Sequence, residues 1–72
     1  MKLTIWKIQN PNDINQYFYR WTFEAYFIFV TSQFEYTHEG ICRRGGLQWA
    51  LKHNYGIPKI KYNQRSNTEF LS

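Results

Sequence analysis

The stretch that decides the fold reads WTFEAYFIFVT, from Trp21 to Thr31. Apolar residues within and before it fit two periodicities: a helical stripe (Ile14, Phe18, Trp21, Ala25, Ile28) and a strict period of two (Tyr17, Tyr19, Trp21, Phe23, Ala25, Phe27, Phe29). Because aromatic and β-branched residues are densest here, composition favours a strand over a helix. The sequence predicts a strand from Trp21 to Thr31, preceded by a short helical turn from Pro11 to Tyr17.

Two further strands are predicted beside this one. Leu3 to Gln9 mixes β-branched and aromatic residues and stops at the Asn-Pro-Asn-Asp cluster of residues 10–13. After a polar turn at residues 31–33, the alternating stretch from Phe34 to His38 predicts a shorter strand. This shorter strand would pair with residues 21–31 as an antiparallel hairpin.

A short helix is predicted from about Gly46 to Asn54, opened by Arg43-Arg44-Gly45-Gly46. Its end is marked by Gly56, which suits the left-handed residue after a helix, and by Pro58, which prevents continuation. An edge strand from Ile57 to Tyr62 and a polar tail over residues 63–72 follow, which gives one domain over residues 1–62. The predicted class is α+β, a mostly antiparallel sheet of three or four strands with one helix packed on it.

Composition and charge narrow the functional classes. The chain has 72 residues, of which 43% are hydrophobic and 21% aromatic, and this is too apolar for a disordered chain. Its two prolines and four glycines exclude collagen-like and low-complexity material. So small a core contributes little stability, and a homo-oligomer or a bound partner could contribute the rest. A net charge of +4 favours acidic partners but falls short of the dense basic patch of a dedicated nucleic-acid binder.

The cellular compartment is predicted from three features. The single cysteine, Cys42, cannot form an internal disulfide, which favours a reducing environment. Lys7 interrupts the apolar N-terminal segment before a signal peptide could form, and the longest apolar stretch, residues 25–30, is far below the ~20 residues of a membrane-spanning helix. We expect a cytoplasmic protein that does not engage a membrane.

The predicted helix has two unlike faces. At 100° per residue, Leu47, Ala50 and Leu51 share one side and are expected to face the core, so that Leu51→Ala would cost about 2–5 kcal/mol. Trp49 falls on the opposite side with Lys52 and His53. Either a second layer covers this side, or Trp49 is an exposed anchor for a protein contact or for stacking on a base.

Arg43 and Arg44 form a candidate anion site. Two guanidinium groups beside glycines and the free N–H groups of a helix start suit a phosphate or carboxylate. The segment lacks the Lys-Ser/Thr ending of a nucleotide-binding P-loop, and a pair of solvated loop arginines is the alternative. The hypothesis predicts weaker binding by Arg43→Ala and Arg44→Ala with the fold retained.

Metal and nucleophile sites are weakly indicated. His38, Glu39, Cys42 and His53 could ligate zinc, but their spacing matches no compact structural-zinc pattern. The neighbouring arginines could lower the pKa of Cys42 without making it catalytic, since no orienting group or oxyanion hole is identifiable. The sequence predicts no catalytic residue, no metal and no cofactor.

The functional prediction is a small non-enzymatic binding protein. Richness in residues with AT-rich codons suggests an accessory protein of a phage or mobile element that docks on and modulates or inhibits a larger nucleic-acid-handling host complex. The predicted binding residues are Arg43, Arg44, Trp49, Lys52 and His53. The alternative is direct nucleic-acid binding through phosphate contacts and aromatic stacking. Hydrolase chemistry at His38 or His53 is a third, less favoured hypothesis.

Overall fold

The computed structural model describes residues 1–65 and contains four strands and one helix: β1 (Lys2–Asn10), β2 (Asp13–Ala25), β3 (Ile28–Thr31), α1 (Glu39–Lys52) and β4 (Lys59–Arg65). The sheet order is β3-β2-β1-β4. β1 pairs antiparallel with β2, and β2 pairs antiparallel with β3, whereas β4 lies parallel to β1. The α+β class, the mostly antiparallel sheet and the single packed helix are therefore confirmed.

The first hairpin replaces the predicted helical turn at Pro11–Tyr17. Pro11 and Asn12 form a turn in which the Asn12 N–H donates to Asn10 Oδ1 at 2.9 Å, and Asp13 already pairs with Asn10. From residue 17 onward β2 pairs with β1 residue by residue. The helical-turn prediction was wrong because this segment pairs with β1, and pairing across strands is absent from a local sequence pattern.

The second hairpin lies inside the stretch predicted as one strand. Ala25 pairs with Ile28, so Tyr26 and Phe27 alone form the connection between β2 and β3. Tyr26 has a φ of 47°, in the left-handed region. The uninterrupted strand from Trp21 to Thr31 was therefore wrong, because the turn uses none of the glycine, asparagine or aspartate residues that usually mark one.

The predicted strand at Phe34–His38 is reduced to one bridge. Tyr36 pairs with Tyr19 through backbone hydrogen bonds of 2.7 and 2.8 Å. Between β3 and this bridge, the Ser32 N–H donates to the Trp21 carbonyl at 2.9 Å. The chain thus continues along the edge of β2 after β3 ends, without forming a regular second strand.

Helix α1 begins at Glu39, well before the predicted start at Gly46, with His38 as the N-cap residue. Gly45 and Gly46 lie inside it. A Cβ atom at Gly46 would lie 2.7 Å from Leu3 Cδ1, and one at Gly45 would lie 2.7 Å from the Tyr36 hydroxyl. The two glycines therefore do not mark the start of the helix. They allow it to pack closely on Leu3 and Tyr36, and this packing outweighs their poor helix propensity.

The helix also ends earlier than predicted. The Tyr55 N–H donates to the Ala50 carbonyl at 2.9 Å and the Asn54 N–H donates to the Leu51 carbonyl at 3.1 Å, which is the Schellman pattern. Asn54, with a φ of 65°, is the left-handed residue that ends the helix, where Gly56 was predicted; Gly56 is also left-handed, with a φ of 83°, but lies two residues further on. β4 then runs from Lys59 to Arg65, so the first residues of the predicted tail are strand. The rest of that tail lies outside the described residues.

The core lies between the sheet and α1. It consists of seven buried apolar residues: Leu3, Ile5, Trp21, Phe23, Ala25, Cys42 and Ala50. Leu47 packs against its margin, but Leu51 is 53% exposed, so its predicted core position was wrong. The face of α1 that meets the sheet is centred on Cys42, Gly46 and Ala50, about one residue of rotation from the predicted face. Within residues 1–65, no helix has the length and apolarity to cross a membrane.

Candidate binding surfaces

The five predicted binding residues fall on different sides of α1. Arg43 faces β4, where its Nη1 donates to the Tyr62 hydroxyl at 3.1 Å, and this bond raises the pKa of the guanidinium. Arg44 is exposed. Trp49, Lys52 and His53 share one groove on the β3 side of the helix. The structure therefore brings three of the five residues together.

The anion site at Arg43 and Arg44 lacks its predicted setting. Because α1 begins at Glu39, the N–H groups of residues 43–46 lie inside the helix and are not free at its start. The first turn carries the carboxylate of Glu39, which takes the place at the helix N-terminus that an anion would favour. The predicted cradle at a helix start was therefore wrong.

The groove beside α1 has a volume of about 420 Å³ and lies between the helix and the segment that follows β3. Its lining includes Trp21, Phe34, Tyr36, Gln48, Trp49, Lys52 and His53. The Trp49 ring is half-buried, with its centroid 5.7 Å from that of Trp21 and 5.3 Å from that of Phe23. Its predicted place opposite the core was wrong, because the helix is rotated from the predicted face.

His53 also lines the groove, next to Trp49. Its ring stacks on Trp49 at 4.1 Å with 20° between the planes, and its Nδ1 lies 2.9 Å from the Trp49 carbonyl oxygen. Since a carbonyl can only accept, Nδ1 donates this hydrogen bond. The contact fixes the orientation of the imidazole at the end of the helix.

The residues considered for metal or nucleophile chemistry do not assemble. Cys42 is buried, and burial together with the nearby Glu39 raises the pKa of its thiol to about 12, opposite to the predicted lowering. His38 and His53 are exposed. In the part of the chain that the structure describes, no three His, Cys, Asp or Glu side chains lie together as a metal site would need.

Within residues 1–65, the most exposed apolar side chains lie at the β2–β3 turn, which was not among the predicted binding residues. The Tyr26 and Phe27 side chains are both essentially fully exposed. Beside them lies a recess of about 540 Å³ between the turn and the N-terminal residues, lined by Met1, Lys2 and residues 24–29. One signal could have revealed this surface, since residues 25–34 form an uncharged run that contains four aromatic side chains.

This aromatic surface extends along one edge of the molecule. Phe29 on β3 and Phe34 after it are 63% and 67% exposed. We call Tyr26, Phe27, Phe29 and Phe34 the aromatic edge. Phe29 lies on the sheet face away from α1, whereas Phe34 lines the groove beside α1, so the four rings share an edge and not one continuous patch. Exposed aromatic side chains are enriched at interaction surfaces.

The opposite edge of the sheet is basic. Lys59 and Lys61 alternate along the exposed edge strand β4, and Lys59 pairs with Lys2 on β1. Because side chains alternate along a strand, these three lysines share the sheet face that does not carry α1. The Lys2 ammonium lies 3.9 Å from the Glu24 carboxylate, which offsets part of this charge.

Comparison of the chain with protein-family models, curated proteins and solved structures finds no match. No residue role therefore comes to this chain from a relative.

Proposed function

We propose that this protein is a non-enzymatic protein-binding module that inserts the Tyr26–Phe27 turn into an apolar recess on its partner. The supporting observation is that both rings are almost completely exposed on a two-residue turn, closed by the pairing of Ala25 with Ile28. Tyrosine and other aromatic residues are enriched among those that dominate binding energy at protein interfaces.

The turn is costly for the fold, and this supports a role in binding. A non-glycine residue in the left-handed region costs roughly 1–2 kcal/mol. Hairpin turns of two residues usually avoid that cost with glycine or asparagine. The exposed rings bury almost no surface in the protein itself. The strained backbone of Tyr26 and the exposed ring of Phe27 beside it support a role in binding, because backbone strain is concentrated at functional sites.

The turn also presents the rings in an ordered way. It connects two antiparallel strands, and β2 continues into the core through Phe23 and Trp21. Because the backbone is held on both sides, docking orders fewer groups than a flexible loop would, which favours affinity.

The charge near the turn supports one kind of partner. Lys2 and Glu24 both line the adjacent recess and lie 3.9 Å apart, and Lys59 is the neighbour of Lys2 across the sheet, so one lysine remains in excess there. We propose an apolar recess bordered by acidic groups, which a chain of net charge +4 would approach favourably. The proposed location is the reducing cytoplasm, where the single Cys42 stays a thiol. Two further points stay predictions: that the protein originates in a phage or mobile element, and that its partner is a nucleic-acid-handling complex which it modulates or inhibits.

A second candidate function is direct nucleic-acid binding, favoured by the shared face of Lys2, Lys59 and Lys61. Each lysine that neutralises a phosphate would add about −0.9 to the slope of log affinity against log salt for duplex DNA. Burial of Tyr26 and Phe27 in a protein recess would depend much less on salt, because its main contribution is apolar.

The test is quantitative capture from a nuclease-treated lysate of the cells that encode the protein. The bait proteins are the wild type, the double variant Tyr26→Gly/Phe27→Ala, and the control Ile14→Ala, which removes an exposed apolar side chain on β2 far from the turn. We expect the wild type and the control to retain the same protein after nuclease treatment and the double variant to lose it. Retention by the double variant, or loss of all capture with nuclease, would contradict the proposal.

A further inference from the structure

The outer side of β3 carries unpaired backbone groups. The Ser32 N–H points toward β2, where it donates to Trp21. Since the direction of these groups alternates along an antiparallel strand, Ile28 and Val30 also point toward β2, and Phe29 and Thr31 point away. Within residues 1–65, β3 pairs with β2 alone, so the outward N–H and C=O groups of Phe29 and Thr31 have no backbone partner.

The two edges of the sheet differ in their protection against pairing. β4 carries Lys59 and Lys61, and lysine on an edge strand discourages the addition of another strand. β3 carries no charge, and neither do the turn before it or the segment up to Phe34. Phe29 adds an exposed apolar ring to this edge. An unprotected edge of this kind promotes association.

The absence of charge makes β3 the edge at which a second copy fits best. Each copy carries a net charge of +4, so two copies approach most favourably where the contacting surfaces carry no charge. At a two-fold contact every residue near the axis meets its own copy or a close neighbour, so a charged edge would bring like charges together. We infer that β3 pairs antiparallel with β3 of a second copy, and that the protein forms a symmetric dimer with one continuous sheet.

The backbone pattern sets the register of this pairing. If Phe29 faces Thr31 of the second copy, all outward N–H and C=O groups of both residues form hydrogen bonds. Val30 then faces Val30 of the second copy at the two-fold axis. Its side chain lies on the α1 face of the sheet, so two half-buried valines meet there and bury further apolar surface.

The dimer would carry two binding turns. Because the paired strands run in opposite directions, the Tyr26–Phe27 turns that precede them lie at opposite ends of the interface. The inference does not depend on the proposed function, since the dimer forms from the protein alone.

Sedimentation equilibrium over a concentration series tests the dimer. We expect the wild type to reach twice the monomer mass of 8.8 kDa. Phe29→Lys should remain monomeric, because it places a like charge on both sides of the axis at an already exposed position. Asn63→Lys, which adds the same charge to exposed β4, should still dimerise. A monomeric wild type, or dimeric Phe29→Lys, would overturn the inference.

Amide hydrogen exchange locates the interface independently of mass. In the wild type at high concentration, the amides of Phe29 and Thr31 should be protected, and dilution to the monomer should remove this protection. The amides of Ile28 and Val30 serve as internal controls, because their bonds to β2 protect them in both states. A dimer in which Phe29 and Thr31 exchange freely would use another surface and would refute the pairing.

Discussion

Gly46 lies against Leu3 at the closest approach between α1 and the sheet: a Cβ atom at Gly46 would be 2.7 Å from Leu3 Cδ1 and 3.1 Å from Trp21 Cγ. Leu3 is fully buried, and protein interiors are close-packed. The absence of a side chain at residue 46 thus sets the distance of the helix from the sheet. That distance places Trp49 over Trp21 and Phe23 and forms the inner wall of the groove.

Gly46→Ala should therefore destabilise the protein, although alanine is the better helix former. The methyl group would force Leu3 or Trp21 from its position, and overpacking of this kind typically costs about 1–3 kcal/mol. Gly40→Ala is the matched control in the same helix, because nothing lies within 4 Å of its Cβ position. It should stabilise the protein by up to about 1 kcal/mol through helix propensity. Urea denaturation measures both, and a stabilising Gly46→Ala would contradict the close packing.

Trp49→Ala should destabilise the protein more than Leu51→Ala, although the sequence predicted Leu51 to be the core residue. Leu51 is half-exposed, so its truncation should cost less than about 1 kcal/mol, well below the 2–5 kcal/mol expected for a core leucine. Trp49 packs on Trp21 and Phe23, and its truncation should cost about 3 kcal/mol. Equal urea midpoints for the two variants would show that the helix presents another face to the sheet.

The thiol of Cys42 should be unreactive in the folded protein and contribute to pH-dependent stability. Its pKa is raised from 9.0 to about 12, so between these values the folded state keeps a proton that the unfolded state has lost. Stability should then fall as pH rises above about 9 and be unaffected by this group at lower pH. Cys42→Ala lacks this contribution, so its stability relative to the wild type should increase over that range. Rapid labelling of native Cys42 by a thiol reagent at neutral pH would contradict the burial.

Tyr26→Gly should maintain or increase stability while it weakens binding. Glycine removes the strain of the left-handed φ, which is worth roughly 1 kcal/mol, and the deleted ring makes almost no contact within the protein. Phe27→Ala should leave the urea midpoint unchanged, because the Phe27 ring also makes almost no contact within the protein. A loss of more than about 1 kcal/mol in either variant would show that the rings support the fold, contrary to a role in binding.

The sequence was sufficient for the fold class but not for the turn that divides its central stretch. The alternation of Trp21, Phe23 and Ala25 identifies β2 because one face of that strand is buried. The turn at Tyr26–Phe27 lacks any local signal, since tyrosine is rarely found at a left-handed φ. Its position depends on the pairing of Ala25 with Ile28 across strands, which a local pattern does not contain.

The candidate site was predicted only in part, for a similar reason. Trp49, Lys52 and His53 converge because their spacing on a helix brings them to one side. Arg43 and Arg44 were assigned to a helix start because glycines were interpreted as a boundary. In the structure, Gly45 and Gly46 are contact points inside α1, and only their neighbours Tyr36 and Leu3 reveal that role.

The most direct test of the binding proposal is the affinity of the purified, captured partner for the wild type and for Tyr26→Gly, measured by calorimetry at matched salt. An aromatic residue at the centre of an interface is typically worth at least about 2 kcal/mol, so we predict a Kd for Tyr26→Gly that is about 30-fold weaker or more. The same variant should unfold at the same or a higher urea concentration than the wild type. Equal Kd values for the two proteins would contradict the proposal that this turn binds the partner.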